Sequence, residues 1–141
     1  LASSAASDVY KRQTIEGAEH ILNKVRNLLA QVEERVYLSC TRNYLLLLVG
    51  ELETLMSQGK KVVIITDQPV TFDNAKVYVA EARGMQIGVI ADSKYVLTGE
   101  YGEGSRNTCL YSGQENFVEL YKTALANEIK LVSIREERQK S

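Results

Sequence analysis

The sequence predicts an α/β domain in which helices sandwich a mixed β-sheet, preceded by a helix of coiled-coil character. Three observations carry this expectation. From Ile15 the apolar residues Ala18, Leu22, Val25, Leu29 and Val32 follow a three-four alternation, widened by Ile21 and Leu28, which marks a helix facing a core or a partner. The run Lys61-Val62-Val63-Ile64-Ile65-Thr66-Asp67 is apolar without alternation, as in a strand buried on both faces. Along the chain, helical and strand patterns then succeed one another as α-β-α-β-β-β-β-β-α.

Taken in order, the first helix starts at Thr14, a plausible N-cap, and extends to residue 33 as a linker and dimerisation helix. Its seam residues Ile15, Leu22, Val25, Leu29 and Val32 are the expected contacts of a homodimer. Arg35 to Cys40 alternates like a short strand. Asn43 to Gln58 reads as a helix with Leu45, Leu48, Val49, Leu52, Leu55 and Met56 on its apolar side, ended by Gly59. Gln68-Pro69 interrupts the chain after the apolar strand. Strands are expected at Lys76–Ala80, Gln86–Ala91, Tyr95–Thr98 and Thr108–Tyr111. A closing helix, Asn116 to Ile134, gathers Phe117, Leu120, Tyr121, Ala124 and Leu125 on one side. Residues 34–141 thus form one domain behind the linker helix, a size that buries most of its apolar surface in a single core.

Composition narrows the function classes. Among 141 residues, 45% are hydrophobic and 25% charged, with a formal net charge of -1, so no overall basic field exists to hold a nucleic-acid backbone. The two cysteines, Cys40 and Cys109, stand far apart without a Cys/His cluster, so no metal, no disulfide scaffold and no cofactor is expected, and both read as free thiols of a cytoplasmic protein. The longest apolar run, Tyr44 to Val49, is far short of the roughly 20 residues needed to span a bilayer. No membrane partner and no signal peptide are expected. The opening LASSAASDVYKRQ has neither periodicity and resembles translated sequencing-adapter sequence, so residues 1–13 are expected to be a non-native or disordered tail.

The stretch Asp92 to Gly99, DSKYVLTG, followed by GSRN at Gly104 to Asn107, is spaced like a phosphodiester-cleaving motif of the phospholipase D type, His-x-Lys-x4-Asp with Gly-Ser-x-Asn behind it. That chemistry needs an imidazole to attack phosphorus, a lysine to neutralise phosphate charge and a second imidazole to protonate the leaving oxygen. Here Asp92 stands in the histidine position, Lys94 matches the lysine, Gly99 replaces the aspartate and GSRN arrives about two residues early. His20, the one histidine of the chain, lies on the polar side of the first helix. No P-loop, GxSxG or GxGxxG is present either, and the expectation is that the chain is not an enzyme.

The ordered series IEGAEHILNKVRNLL, EERVYLSC, GKKVVIITD, IGVIADSKYVLTGE and NTCLYSGQENFVELYKTALANEIKLV resembles the phospholipase D-like middle domain of TrmB-type transcriptional regulators. The resemblance implies a phospholipase D-like half preceded by a coiled-coil linker, without an enzymatic role, that senses a small effector such as a sugar or sugar phosphate. It also implies a bacterial, cytoplasmic homodimer that reaches DNA only through an amino-terminal winged helix, which this sequence lacks. Asp92, Lys94, Ser105 and Asn107 are the expected ligand contacts. The competing reading of Asp92 and Lys94 is a turn and a surface ion pair. Two other functions stay open: a dimeric phospholipase D-like phosphodiesterase or nuclease, and a purely structural dimerisation domain.

Overall fold

The computed structural model describes residues 12–80, 84, 86–101 and 107–140. These form a seven-stranded mixed sheet, with the α/β class expected from the sequence. The elements in order are β1 (Arg12–Glu16), α1 (Ala18–Ala30), β2 (Arg35–Ser39), α2 (Arg42–Leu45), α3 (Val49–Ser57), β3 (Lys61–Thr66), β4 (Ala75–Val79), β5 (Gln86–Ala91), β6 (Tyr95–Glu100), β7 (Thr108–Ser112) and α4 (Glu115–Lys140). Across the sheet the strands run β1-β7-β6-β5-β2-β3-β4. Strands β2, β3 and β4 are parallel, and β5, β6, β7 and β1 continue from β2 as an antiparallel meander.

This topology sorts the strand ends into two groups. At one end β2, β3, β4 and β6 finish and β5 and β7 begin, bringing together Ser39, Thr66, Glu100, Gln86 and Thr108. At the other lies the β5–β6 turn with Asp92 and Lys94, beside the start of β2 at Arg35. Six residues of strand, roughly 20 Å, separate the two ends.

Each face of the sheet carries its own layer. On one face, α1 and the α2–α3 unit bury Ile21, Val25, Leu29, Leu45, Leu48 and Leu52 against Val36, Leu38, Ile64, Val89 and Leu97. An ion pair from Arg26 Nε to Glu51 Oε1 at 3.3 Å links α1 to α3 across the surface of this layer. On the other face α4 alone covers Ile65, Ile90 and Val96 with Val118 and Leu125. Ile64 and Ile65, neighbours in β3, thus enter opposite layers, which is why that strand has no polar positions in its interior.

Local chemistry sets the boundaries. Thr41 caps α2, its Oγ1 accepting the Tyr44 N–H at 3.3 Å. Gly59 ends the helical segment at φ 76, as its position in the sequence predicts, and the N–H groups of Gly59 and Lys60 close back on Met56 and Leu55. The stretch expected as one helix over Asn43 to Gln58 is divided by a 3-10 turn at Leu46–Leu48. The first helix differs more. Thr14 and Ile15 lie in β1, and the chain leaves that strand through Gly17 at φ 94 before α1 begins. Arg12 and Gln13, expected in a tail, pair with Ser112 and Tyr111. Among the described residues no helix is long and apolar enough to cross a membrane.

The dimerisation seam is corrected by burial. Val25 and Leu29 are 0% exposed and Val32 is 1%, all within the core of the same chain, so none is available to a second copy. Leu22 packs against that core, and Ile15 sits on the edge strand rather than on the helix. The stripe reads correctly as a helix but was covered intramolecularly.

Candidate functional site

The β5–β6 turn explains DSKYVLTG. Asp92 and Ser93 have φ of 55 and 57, and the Lys94 N–H donates to the Ala91 carbonyl at 3.0 Å, a turn with two left-handed central residues. Aspartate tolerates that conformation better than bulkier residues. Its carboxylate is fully engaged: Oδ1 accepts N–H from Glu34 at 2.8 Å and Arg35 at 3.0 Å, and Oδ2 accepts from Glu33 at 2.9 Å. Its own N–H donates to the Arg35 carbonyl at 2.9 Å. Burial pushes this carboxyl up, but the three backbone N–H donors, aided by Lys94, outweigh it and hold the group below its ordinary value. Asp92 is therefore a fastener between the hairpin and the connection that follows α1.

That role changes the register of the motif. If Asp92 takes the aspartate position, the His-x-Lys-x4-Asp spacing puts Met85 and Ile87 at the histidine and lysine positions, and the following glycine falls at Gly99 instead of Gly104. Gly99 has the constraint such a position implies: a Cβ there would lie 2.2 Å from the Thr108 carbonyl oxygen. Ile87 is 1% exposed inside the core layer under α1, so no side-chain charge is presented from that position. In that register only Asp92 and Gly99 match the motif, and neither the histidine nor the lysine is present.

The four expected ligand contacts are not brought together. Asp92 and Lys94 border a cleft of about 460 Å³ with Gln31 and Glu33. Asn107 lies at the opposite end of the sheet, where its carbonyl accepts the Gly17 N–H at 2.9 Å. Ser105 falls outside the described residues. With Asp92 committed to three backbone donors, only Lys94 of this group projects an exposed polar side chain into the cleft. His20 is exposed in the first turn of α1, at the end of the sheet away from Asp92.

The residues that sequence reasoning missed lie at the other end, where β2 and β3 finish. Thr41 Oγ1 and Tyr101 Oη are 2.7 Å apart, and the Thr41 N–H also donates to Tyr101 Oη at 3.2 Å. The Tyr101 ring lies against Tyr44 with 4.2 Å between centroids. Next to them, Asp67 Oδ1 accepts the Arg42 N–H at 2.8 Å, placing a half-buried carboxylate beside an exposed guanidinium-bearing residue. Burial raises the Tyr101 phenol, although its bonds to Thr41 pull the other way. The result is a carboxylate at the carboxyl ends of parallel strands, beside two buried, mutually bonded hydroxyls and next to the exposed residue Arg42, where the sheet changes from parallel to antiparallel. Open α/β sheets bind ligands at such a position. Two signals in the sequence pointed there: Asp67 ends the apolar run of β3, and Thr41 stands between a strand and a helix. Among the described residues no group of three or more His, Cys, Asp or Glu is arranged to hold a metal ion.

No protein-family profile and no curated protein matches the chain. Solved structures do. NucT from Helicobacter pylori superposes with a TM-score of 0.68 at 16% identity, over 85% of this chain and 96% of NucT. Nuc from Salmonella typhimurium, a phospholipase D family member, gives 0.62 at 12% identity, over 82% of this chain and 91% of Nuc. TrmBL2, an archaeal chromatin protein with a novel mode of DNA binding, gives 0.71 at 11% identity, over 85% of this chain and 52% of TrmBL2. The chain thus spans about half of TrmBL2 but matches NucT and Nuc over most of their length.

These likenesses overturn the expectation that the chain is not an enzyme. It rested on the missing histidine, on the absence of other catalytic motifs and on the family resemblance, whereas the fold is that of NucT and of the phospholipase D family member Nuc over most of their length. The chain has a phospholipase D-like fold, with its sheet between a two-helix layer and the single helix α4.

Proposed function

We propose that this chain is a phosphodiesterase-type domain of the phospholipase D fold, working at the rim formed by Thr41, Arg42, Asp67 and Tyr101. The observation that supports it best is the match of the fold over nearly all of NucT, combined with a polar rim at the ligand-binding end of the sheet. Arg42 is the cation that meets the phosphate charge, and the Thr41–Tyr101 pair, buried and bonded to each other, holds in place the strand ends that carry Arg42 and Asp67. Asp67 keeps Oδ1 on the Arg42 N–H and orients a water with its other oxygen; as the water attacks phosphorus its proton passes to that carboxylate and the P–O bond to the leaving group breaks, a leaving group as stable as p-nitrophenolate departing without a protonating acid. The test is hydrolysis of bis(p-nitrophenyl) phosphate by the full chain. Turnover should fall at least about a hundredfold in Asp67→Asn, in the range that removing a general base produces, and should fall in Arg42→Ala as well. Turnover no faster than buffer in the wild type sinks this reading.

A second reading has its own support: a sensor domain of a TrmB-type regulator, in which an effector biases the geometry of attached DNA-reading heads. The fold likeness to TrmBL2 and the ordered sequence series from Ile15 to Val132 favour it. A thermal-shift screen of sugars and sugar phosphates tests it, because a ligand that binds the folded state raises the melting temperature. No stabilisation by any compound at millimolar concentration eliminates it.

A further inference from the structure

Strand β4 is the last of the sheet, and among the described residues nothing pairs with its outer side. The Ala80 N–H closes on the Thr66 carbonyl at 2.8 Å, so the alternate residues Lys76 and Tyr78 also bond to β3, and the N–H and C=O groups of Ala75, Val77 and Val79 point to the open side. The usual ways of blunting such an edge are largely missing: β4 has no proline, its register with β3 is unbroken, and Val77-Tyr78-Val79 favours the extended state. Lys76 is its one charge, exposed on the face that carries α4, in the row of Tyr37 and Val63. Lys61, on the same face of β3, places its Nζ 5.8 Å from the centroid of the Tyr37 ring. Among the described residues no carboxylate pairs with either lysine, and the neighbouring Glu34 goes to Arg35 at 3.7 Å. Helix α4 crosses this face from Tyr95 of β6 to Tyr78 of β4 and continues past Ile129 from Lys130 to Lys140, roughly 16 Å.

We propose that this edge is the docking site of an extended acidic segment of a partner protein, which adds to β4 as a further strand. Main-chain bonds to Ala75, Val77 and Val79 hold it, since an open edge accepts a strand through its backbone. Charge selects the occupant. The residue of the added strand that lies beside Lys76 points to the same face as that lysine. The next residue on this face, two positions along, lies beside Asn74 in the row of Lys61, about 10 Å or two strand spacings from β3, a gap that a lysine and a glutamate close between them. Carboxylates at these two positions therefore meet both lysines, and the apolar residue between them extends the layer of Ala75 and Val77 on the other face. The same lysine works against a second copy, because a charge on an edge strand opposes strand-to-strand pairing of identical chains. Docking here is independent of the activity proposed for the rim.

Fluorescence polarisation of a short, capped and labelled peptide alternating glutamate and valine, titrated with the full chain, tests the docking. Saturable binding with a dissociation constant below about 1 millimolar is expected, and the same peptide with lysine for glutamate should bind at least about tenfold more weakly. Lys76→Glu should narrow or reverse that preference. Val77→Pro should abolish binding at unchanged far-ultraviolet circular dichroism, because the N–H it removes points to the open side and not into the ladder. Amide hydrogen exchange of the wild type reads the geometry. The peptide should protect Val77 and Val79, which exchange freely without it, while Lys76 and Tyr78 are protected throughout. No saturable binding below about 1 millimolar, equal binding of the two peptides, or binding indifferent to Val77→Pro overturns the proposal. So does protection of Val77 and Val79 without peptide: if constant, the chain covers its own edge, and if it rises with protein concentration, a second copy does.

Discussion

Helices α1 and α4 both carry apolar residues at three-four spacing, yet the chain buries most of the α1 stripe and leaves Leu120, Leu131 and Ile134 of α4 in solvent. In α1 the residues Ile21, Val25, Leu28 and Leu29 are at most 4% exposed; in α4 Leu120, Leu131 and Ile134 are 48% or more. Topology makes the difference. Helix α1 connects the edge strand β1 to the interior strand β2, so it must cross the sheet, and the α2–α3 unit then flanks it. Helix α4 follows edge-proximal β7, has its layer to itself and outruns the strands. The alternation states that a helical face wants cover; it does not state whether the chain or another molecule supplies it.

The sharpest way to break the comparison is to truncate one leucine on each helix. Leu29→Ala should cost about 2–5 kcal/mol, the range for a buried leucine whose cavity cannot collapse. Leu131→Ala, measured at concentrations too low for association, should change stability by no more than roughly 0.5 kcal/mol, as exposed positions do. Urea unfolding followed by circular dichroism measures both. Equal losses would mean that α4 is covered within the chain after all.

The inward face of α4 has its own vulnerable point. A Cβ at Gly88 in β5 would lie 1.8 Å from the Tyr121 Oη and 2.8 Å from its Cζ, so β5 has room for that phenol only because it carries glycine there. Gly88→Ala should destabilise by about 1–3 kcal/mol, the usual penalty of overpacking. Tyr121→Leu in the same chain should recover part of the loss, whereas an unrelated surface substitution should not. Absence of recovery would place the effect on the strand rather than on the seating of α4.

For α1 the equivalent fastener is Asp92, whose carboxylate holds the N–H groups of the three residues leading into β2. Asp92→Asn keeps one acceptor and loses the charge, with an expected cost of about 1–2 kcal/mol. The pH dependence has a definite sign. Folding favours the ionised form because the folded value lies below the ordinary 3.8, so the contribution is complete above about pH 4 and is lost as pH falls through the folded value. The wild type should therefore lose more stability on acidification than Asp92→Asn does. Parallel acid-unfolding curves for the two would remove Asp92 from this role.

How far the sequence reached follows from what each signal encodes. Periodicity located the buried strand Lys61–Thr66, and Gly59 the end of the second helical segment, because burial and glycine at positive φ are written in single residues or short windows. Strand β1 was missed because Arg12, Gln13 and Thr14 are polar; an edge strand needs a partner's hydrogen bonds more than an apolar face, and that partner, β7, is about a hundred residues away. DSKYVLTG was legible as a spacing but not as a register, since only the three N–H donors from Glu33 to Arg35 distinguish a fastening aspartate from one in a nucleophile's place. The rim of Thr41, Asp67 and Tyr101 assembles from three separate strand ends: local pattern marks Asp67 and Thr41 as strand ends but does not bring Tyr101 to them.

The smallest effect tests the layer under α1 from within. Tyr44 and Tyr101 are each 8% exposed and lie ring against ring, but only Tyr101 has a hydroxyl partner; Tyr44 Oη is buried without one among the described residues. Tyr101→Phe strands the Thr41 N–H and hydroxyl and should cost about 1–2 kcal/mol. Tyr44→Phe removes a hydroxyl that was desolvated for no return, so it should be neutral or stabilising by up to about 1 kcal/mol. Alkaline unfolding adds an independent readout. Burial raises the Tyr44 phenol above its ordinary 10.0, so the group leaves stability unchanged below about pH 10 and lowers it as pH rises from there through the folded value, where only the unfolded chain ionises freely. Tyr44→Phe should flatten that alkaline loss. A destabilised Tyr44→Phe with an unchanged alkaline limb would mean that its hydroxyl has a partner and that this layer is less dry than its burial implies.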